Sequence, residues 1–273
     1  MRDTQLFCEI VGDGPLLLAL HGGLGLDHRY LRPWLDPLAE SARVAFFDLR
    51  GHGRSQGRET LAHADHGTLC ADTESLREQL GAEQVFVFGH SYGGFLALEY
   101  ALRYPNRVAG LVLCATAAST AHIPAALELA PSRGVPDALS ALRGALAQPA
   151  RSDKEFADSW SAVLPLYFHG NDPRRSAAMF ADTVFSSEGY NQAFFKWLPT
   201  YDVRDRLGGI DAPALVLSGA DDWIMSPRLA GDELAARLSR SDHVVFEQSG
   251  HFPFVEESQL FADTVSRWLR RMA

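Results

Sequence analysis

Short apolar runs recur along the first 120 residues and return near the C-terminus. Each has the length of a strand and is almost continuously apolar, as expected for strands of a parallel sheet covered on both faces. They are LLLAL from Leu16, VAFFD from Val44, VFVFG from Val85, LVLCA from Leu111, ALVLS from Ala214 and HVVFE from His243. The pattern therefore predicts core strands at these six positions.

Helix-like stretches separate the strand-like runs. In residues 68–80, Leu69, Leu76 and Leu80 recur at helical spacing, and Gly81 follows as a stop signal. A second stretch covers residues 91–104 and ends before a proline, and a third covers residues 258–271. Because strands and helices alternate, the sequence predicts an α/β layer structure.

Residues 120–205 interrupt this alternation. Strand-like runs disappear, and aromatic residues are scattered among charged helical segments that prolines divide, namely Pro124, Pro131, Pro136, Pro165 and Pro173. We interpret this region as a helical cap inserted into the α/β core. The expected organisation is a first core part (1–119), the cap (120–205) and a second core part (206–273).

Composition narrows the class of partner. The chain is 47% hydrophobic and 22% charged, as in globular enzymes, and its formal net charge is −9. Nucleic-acid-binding proteins carry excess Lys and Arg, so we expect no nucleic acid partner. No apolar run reaches the roughly 18 residues of a membrane span, and the N-terminal residues do not resemble a signal peptide. We expect a cytoplasmic monomer or homodimer that acts on a small molecule.

The three cysteines suggest neither a disulfide framework nor a metal site. Cys8 and Cys114 lie in strand-like runs, where a thiol behaves as a small apolar group, and Cys70 is distant from both. His63, Asp65 and His66 lack a further ligand nearby in sequence and are typical of a solvated face. We therefore expect no metal and no cofactor.

The most specific motif is G-x-S-x-G, formed by residues 89–93 between a strand-like run and a helix-like stretch. In this setting the serine occupies a tight strand-to-helix turn, where its hydroxyl points into a cleft. The start of the following helix presents free N–H groups towards negative charge. The alternative is a glycine-rich turn with an incidental serine. We predict Ser91 as a nucleophile.

A serine hydroxyl attacks well only when a base removes its proton. His251 lies in a glycine-flanked loop after the last strand-like run, where α/β proteins place functional groups. Asp222, in the loop after ALVLS, is the expected acid that orients this histidine. The chain order Ser, Asp, His suits this type of elbow. Asp221 is kept as the alternative acid.

An acyl-transfer transition state needs hydrogen-bond donors for its oxyanion. The backbone N–H of Tyr92 is one expected donor. Gly23, in the HGGLG turn after LLLAL, is the second, with Leu20 or Gly22 as alternatives. We interpret His21 as a structural hydrogen-bonding residue of this turn. The segment DLRGHGRS, from Asp48, is interpreted as a structural turn in which a buried Asp and Arg pair.

Together, HGG at residue 21, DLRGHGRS, GHSYGG, GADDWIMSP and SGHFPFVEE resemble the α/β-hydrolases along nearly the whole core. The opening HGGLGLDHRYL is similar to the HGGPG-x-x-x-x-YL motif of proline iminopeptidases, although Leu24 replaces its proline and DLR replaces DQR. The resemblance implies a mostly parallel central sheet flanked by helices, with an inserted cap. It also implies serine hydrolase chemistry, since epoxide hydrolases and haloalkane dehalogenases of this fold have Asp at the elbow.

In the iminopeptidases, acidic cap residues bind the free amino terminus of the substrate. Of the acids in this cap, Glu188 is our choice for that role; the others considered are Glu128, Glu155, Asp158, Asp172 and Asp182. Aromatic residues are expected to roof an apolar pocket. We predict Tyr167 and Phe195 from the cap and Trp223 from the core as substrate-binding residues.

The expected activity is hydrolysis of a small ester, lactone or amide through an acyl-enzyme on Ser91. Two alternatives remain open at this point. One is a proline iminopeptidase-type aminopeptidase, and the other is a ligand receptor that has kept the fold without catalysis.

Overall fold

The structure is a computed structural model that describes residues 4–23, 25–170 and 173–273. Within these ranges the chain forms a seven-stranded sheet with strand order β1-β3-β2-β4-β5-β6-β7. Strand β1 is antiparallel to β3, and every other pairing is parallel. The strands are β1 (Cys8–Val11), β2 (Leu16–Leu20), β3 (Arg43–Phe47), β4 (Val85–His90), β5 (Val108–Cys114), β6 (Ala214–Gly219) and β7 (Ser241–Phe246). The predicted mostly parallel α/β sheet is confirmed.

Helices cover the sheet and fill the segment between β5 and β6. They are α1 (His66–Gln79), α2 (Tyr92–Arg103), α3 (Ile123–Leu129), α4 (Pro136–Ala147), α5 (Asp153–Val163), α6 (Pro173–Phe180), α7 (Ser187–Gln192), α8 (Asp232–Arg237), α9 (Pro253–Glu256) and α10 (Ser258–Met272). Short 3-10 turns occupy His28–Leu31, Asp36–Glu40, Arg58–His63, Pro105–Arg107, Ala130–Arg133, Leu164–Tyr167, Leu198–Thr200 and Arg204–Gly209, and π turns occupy Ala193–Trp197 and Pro227–Gly231.

The strands form where the apolar runs predicted them because both faces of the sheet are covered. Every residue of β2, β4 and β6 is buried, so no polar residue is needed on either face. The edge strand β1 instead leaves Ile10 exposed. Helix α1 begins where the Asp65 side chain accepts a 2.7 Å hydrogen bond from the Thr68 N–H, and the chain turns at Gly81, whose φ is +70°.

The segment between β5 and β6 closes on itself at a narrow neck. Ser119 and Asp202 form an isolated antiparallel bridge, and the Thr120 N–H donates to the Tyr201 carbonyl at 3.2 Å. Within its described residues the regular elements of this segment are all helical, and irregular stretches connect them. We use the name cap for residues 120–205, and the three-part division of the chain remains a prediction.

The cap has a small apolar cluster of its own in addition to the main core. Its buried members are Ala126, Ala130, Ala138, Leu142, Val163 and Leu166, with Trp223 added from the loop after β6. Because Trp223 belongs to the core segment of the chain, it ties the cap to the loop that carries Asp222. This contact holds the cap over the carboxyl ends of the strands.

Three further observations bear on the expectations from composition. Among the residues that the structure describes, no helix has both the length and the apolar character needed to cross a membrane. The same residues contain no cluster of three or more His, Cys, Asp or Glu side chains arranged to hold a metal ion. Cys8, Cys70 and Cys114 are all free thiols.

Candidate active site

Ser91 lies at the junction of β4 and α2 in a strained backbone conformation. Its φ is 53° and its ψ is −118°, values that side-chain-bearing residues seldom adopt. The backbone is pinned there, because the Ser91 N–H donates to the Cys114 carbonyl at 2.9 Å and the Ser91 carbonyl accepts from Thr116 Oγ1 at 2.8 Å.

Glycines next to the elbow allow three backbone segments to meet. A Cβ atom on Gly89 would lie 2.4 Å from the Gly93 carbonyl oxygen. A Cβ atom on Gly93 would lie 2.2 Å from the carbonyl oxygen of Leu20, at the end of β2. The G-x-S-x-G pattern therefore has a steric cause: only glycine permits this approach of helix α2 to its neighbouring strand.

His251 and Asp222 form a buried hydrogen-bonded pair. His251 lies in the loop between β7 and α9, and its Nδ1 is 2.7 Å from Asp222 Oδ2. The other carboxylate oxygen of Asp222 accepts the backbone N–H groups of Ile224 and Met225, each at 3.0 Å. A carboxylate can only accept from Nδ1, so the ring carries its proton there and Nε2 keeps a free lone pair.

The neighbouring carboxylate, Asp221, points away from this pair. Asp221 Oδ2 accepts from His169 Nδ1 at 2.7 Å and lies 3.1 Å from Arg133 Nη1. Two adjacent acids of one loop thus have different partners. Asp222, and not Asp221, contacts His251.

The two predicted oxyanion donors lie at the same cavity as Ser91. Gly23 and Tyr92 both line it, and Gly23 has a φ of +45°. The Gly22 N–H, an alternative donor, is already committed to Tyr30 Oη at 2.6 Å. Leu20 lies inside β2, in register with Gly89, and Leu24 lies outside the described residues. Gly23 is therefore the better candidate for the second donor.

His21 behaves as the structural residue that the sequence suggested. It is fully buried, its Nε2 accepts the Leu49 N–H at 3.1 Å, and its Nδ1 lies 3.2 Å from the Gly22 carbonyl oxygen. Burial lowers the pKa of this imidazole below its usual value. His21 therefore stays neutral and fastens the HGG turn to the loop after β3.

Tyr30 and His90 form a relay that the sequence did not reveal. Tyr30 Oη accepts a hydrogen bond from the Gly22 N–H and donates one to His90 Nδ1 at 2.8 Å. His90 Nε2 in turn donates a hydrogen bond to the His251 carbonyl oxygen at 2.9 Å. Burial, followed by the nearby His251, lowers the pKa of His90 well below its usual value, so the ring remains neutral. Tyr30 is the tyrosine of the motif HGGLGLDHRYL, and this motif was the sequence signal that could have indicated its role. The relay links the oxyanion turn, the elbow and the His251 loop.

A cavity of about 400 Å³ lies between the strand ends and the cap. Ser91, Tyr92 and His251 line its base, and the cap lines most of the remainder with aliphatic and aromatic side chains. No Asp, Glu, Lys or Arg occurs among the described residues that line it. Such a cavity suits an uncharged organic molecule with few polar groups.

Two of the four predicted substrate-binding residues line this cavity. Tyr167 does, with its ring centroid 5.3 Å from that of His251, and so does Trp223. Phe195 does not; the π turn Ala193–Trp197 directs its neighbour Phe194 to the cavity instead. A substrate contact of Phe195 therefore stays a prediction that the cavity lining does not support.

Glu188 is also outside the cavity lining. It lies in the first turn of α7, partly exposed, with its carboxylate 3.8 Å from Arg58 Nε. Of the other cap acids, Glu155 pairs with Arg151 and Asp158 with Lys154 on exposed faces, as solvated helix charges do. Asp172 lies outside the described residues. The structure therefore does not support the expectation that Glu188 contacts a substrate.

A second chain of contacts between a serine, a histidine and an aspartate occurs outside the cavity lining. Ser218 Oγ lies 3.0 Å from His243 Nε2, and His243 Nδ1 lies 3.2 Å from Asp232 Oδ1. Ser218 is buried and is not among the residues that line the cavity, so no substrate can reach its hydroxyl there. This chain of contacts connects β6, β7 and α8 and provides an internal comparison for Ser91.

The DLRGHGRS segment is a structural turn, but its pairing differs from the prediction. Arg50 forms two hydrogen bonds with Asp72 of α1, at 2.5 and 2.6 Å. Asp48 instead accepts from His28 Nδ1 at 2.6 Å and from the Arg54 N–H at 2.8 Å. Asp48 and Arg50 are both buried, but they do not pair with each other: Arg50 bonds to helix α1, and Asp48 bonds to His28 and to the backbone of its own turn.

The fold agrees with comparisons to known proteins. The family model described as alpha/beta hydrolase fold matches residues 15–258. The chain belongs to the α/β-hydrolase family. A proline iminopeptidase of Clostridioides difficile (strain 630) is 32% identical over 98% of this chain and 95% of its own. A pimeloyl-[acyl-carrier protein] methyl ester esterase of Vibrio atlanticus (strain LGP32) is 30% identical over 96% of each chain.

A solved structure supports the same assignment. The enol-lactonase of Burkholderia xenovorans LB400 superposes with a TM-score of 0.76, at 26% identity over 98% of each chain. This α/β-hydrolase is therefore related to proline iminopeptidases, and it is an enzyme that hydrolyses ester or amide bonds of small molecules. The alternative of a ligand receptor without catalysis is set aside.

Proposed function

We propose that this α/β-hydrolase is a serine carboxylester hydrolase with Ser91 as nucleophile, His251 as general base and Asp222 as orienting acid. The observation that carries the proposal is the 2.7 Å bond between His251 Nδ1 and Asp222, because it leaves Nε2 free at a cavity that Ser91 also lines. An oriented imidazole that lines the same cavity as a strained, partly exposed serine is what we expect of an activated nucleophile.

In the acylation step, His251 Nε2 takes the Ser91 hydroxyl proton while Ser91 Oγ bonds to the ester carbonyl carbon. The backbone N–H groups of Gly23 and Tyr92 stabilise the negative oxygen that develops. The tetrahedral intermediate collapses, the alcohol leaves with the proton from His251, and an acyl-enzyme remains on Ser91. Water repeats the sequence on the acyl-enzyme and releases the carboxylic acid.

An ester substrate is favoured over a peptide with a free amino terminus. An ammonium group buried in an apolar cavity needs a carboxylate partner, since an unpaired buried charge costs several kcal/mol. The described lining contains no carboxylate, and Glu188 faces Arg58. The methyl ester esterase of Vibrio atlanticus and the enol-lactonase of Burkholderia xenovorans LB400 act on ester bonds by their names.

The first test is labelling by an active-site-directed fluorophosphonate. We expect the wild type and Ser218→Ala to be labelled and Ser91→Ala to be unlabelled. The Ser218 control is matched because this serine also has a histidine within 3.0 Å but lies outside the cavity lining. If Ser91→Ala were labelled as strongly as the wild type, Ser91 would not be the nucleophile.

The second test separates the ester hydrolase from the aminopeptidase. Short p-nitrophenyl esters are assayed beside proline and alanine arylamides, with Ser91→Ala as the blank. Turnover of esters without arylamide cleavage is the expected result. Efficient arylamide cleavage that Ser91→Ala abolishes would favour the iminopeptidase reading, which the relative from Clostridioides difficile supports.

A further inference from the structure

The cavity opens to the surface through an apolar rim. Four residues both line the cavity and are exposed, and all of them are apolar: Pro124, Leu127, Leu146 and Pro199. Leu127 is 36% exposed and Leu146 is 41% exposed. Exposed apolar residues grouped at the mouth of a cavity are typical of a surface that contacts a ligand or a partner.

Most of the lining between this rim and the reacting groups is also apolar. Leu142 and Val163 of the cap are buried beneath the rim, and Trp223 and Phe252 lie deeper, near His251. The ring centroids of Phe252 and His251 are 5.3 Å apart. A substrate that reaches from the catalytic serine to the mouth therefore meets a mainly apolar wall that carries a few neutral polar groups, such as Thr120 and Ser159.

We infer that the substrate is an uncharged ester bearing an apolar chain of medium length, whose far end lies between Leu127 and Leu146 at the rim. This inference rests on the proposed function, since the ester carbonyl is taken to lie at Ser91. The described lining has no cation for a carboxylate and no anion for an amine. Both kinds of charged chain end are therefore disfavoured.

The cavity volume sets the length of the chain. At about 400 Å³ the cavity is at the small end of the roughly 300–1,000 Å³ range of small-molecule pockets, so we expect it to accommodate the ester group together with a chain on the order of eight carbons. Each methylene removed from water should raise kcat/KM by about three- to four-fold until the chain passes the rim.

The experiment measures kcat/KM along two homologous series. One is p-nitrophenyl esters from acetate to laurate, with the chain on the acid side, and the other is acetates of the corresponding straight-chain alcohols. We expect one series to rise steeply and to level off near eight carbons. The variants Leu127→Asp and Leu146→Asp should each lower the octyl-to-short-chain ratio of that series at least ten-fold.

Leu129→Asp is the matched control, because Leu129 lies on the same helix as Leu127, is similarly exposed and is not among the lining residues. It should leave the ratio within two-fold of the wild type. Circular dichroism and the oligomeric state are recorded for each variant. The dependence of kcat/KM on chain length in the wild type tests the inference even if a variant fails to fold.

The outcomes separate the two claims. Ester turnover that is lost in Ser91→Ala but is flat or falls with chain length in both series overturns this inference and keeps the proposed function. Absence of Ser91-dependent ester turnover overturns both. A rim variant that changes the oligomeric state without changing the chain-length profile would assign the rim to contacts between copies of the chain and would also overturn the inference.

Discussion

Tyr30 Oη lies 2.8 Å from His90 Nδ1, and this contact joins the loop after β2 to the end of β4. Because Tyr30 also receives the Gly22 N–H and His90 donates to the His251 carbonyl, one hydroxyl connects three loops of the site. Both side chains are buried, so water cannot replace the bond. The position of the oxyanion turn relative to the histidine loop therefore depends on a side chain outside the triad.

Replacing this hydroxyl should impair catalysis more than it impairs binding. Tyr30→Phe leaves the Gly22 N–H and His90 Nδ1 unpaired in a buried environment, which costs about 1–3 kcal/mol of stability. We expect kcat on short esters to fall on the order of ten-fold with a smaller change in KM, since a displaced donor loses part of the roughly 10²- to 10³-fold that deleting an oxyanion donor costs. Steady-state kinetics and urea unfolding measure the two effects.

Tyr100→Phe is the control for this prediction. Tyr100 is buried and its hydroxyl donates to Glu74 Oε2 at 2.6 Å, between α2 and α1 and away from the cavity. It should lower stability while kcat remains at the wild-type value. Equal kcat in the wild type and Tyr30→Phe would show that the relay has no positioning role.

The two acids after β6 should differ sharply in their effect on turnover. Asp222→Asn presents an amide to His251 Nδ1 and favours the wrong imidazole tautomer, so kcat should fall by about 10³- to 10⁴-fold. Asp221→Asn alters only the contacts with His169 and Arg133, so kcat should stay within a few-fold. If Asp221→Asn proves the more damaging of the two, the assignment of the orienting acid is wrong.

Two glycine substitutions should change stability in opposite directions. Gly93→Ala places a methyl group 2.2 Å from the Leu20 carbonyl oxygen, where backbone must move, and we expect a loss of about 1–3 kcal/mol together with reduced activity. Gly144→Ala lies within α4 with no atom in reach of its new methyl group, and should gain about 0.5–1 kcal/mol from helix propensity. Chemical unfolding of both variants measures the difference, and a neutral Gly93→Ala would contradict the close approach.

Buried histidines should make the protein less stable as the pH falls. Burial lowers the pKa of His52 to about 3, whereas in the unfolded chain it is about 6.5. Between pH 3 and pH 6.5, roughly, the unfolded chain therefore binds a proton at His52 that the folded chain excludes. The contribution of the neutral His52 ring to the free energy of unfolding is complete above a pH of about 6.5, and it is lost as the pH drops towards 3. His52→Asn should reduce the slope of unfolding free energy at pH 5 by about 1.4 kcal/mol per pH unit. Identical slopes in denaturant titrations at several pH values would contradict a buried neutral ring.

Local patterns in the sequence were enough to predict the positions of the candidate groups and six of the seven strands that the described residues form; the edge strand β1 was not among the six. Continuous apolar runs identify buried parallel strands because such strands are covered on both faces, and the runs at Leu16 and Val85 became β2 and β4. Ser91, Asp222 and His251 each follow a strand of the same sheet. Parallel strands end at one edge, which is why residues so distant in the chain come to one cavity.

Side-chain direction and pairing required the tertiary structure. Asp221 and Asp222 are adjacent and chemically identical, and only the approach of His251 and of the cap residue His169 distinguishes them. Phe194 rather than Phe195 reaches the cavity because a π turn sets the rotation of that segment, and Glu188 pairs with Arg58 because α7 packs beside the turn Arg58–His63.

The sequence by itself determined the α/β core, the strained serine elbow and the loops that carry the histidine and the acid, since each depends on neighbouring residues and on strand ends. Only the tertiary structure decided which acid bonds to His251, that Tyr30 links the three loops, and that the cavity wall is free of charge among its described residues. These features depend on which segments distant in sequence pack together, and hydrophobic periodicity carries no information about that.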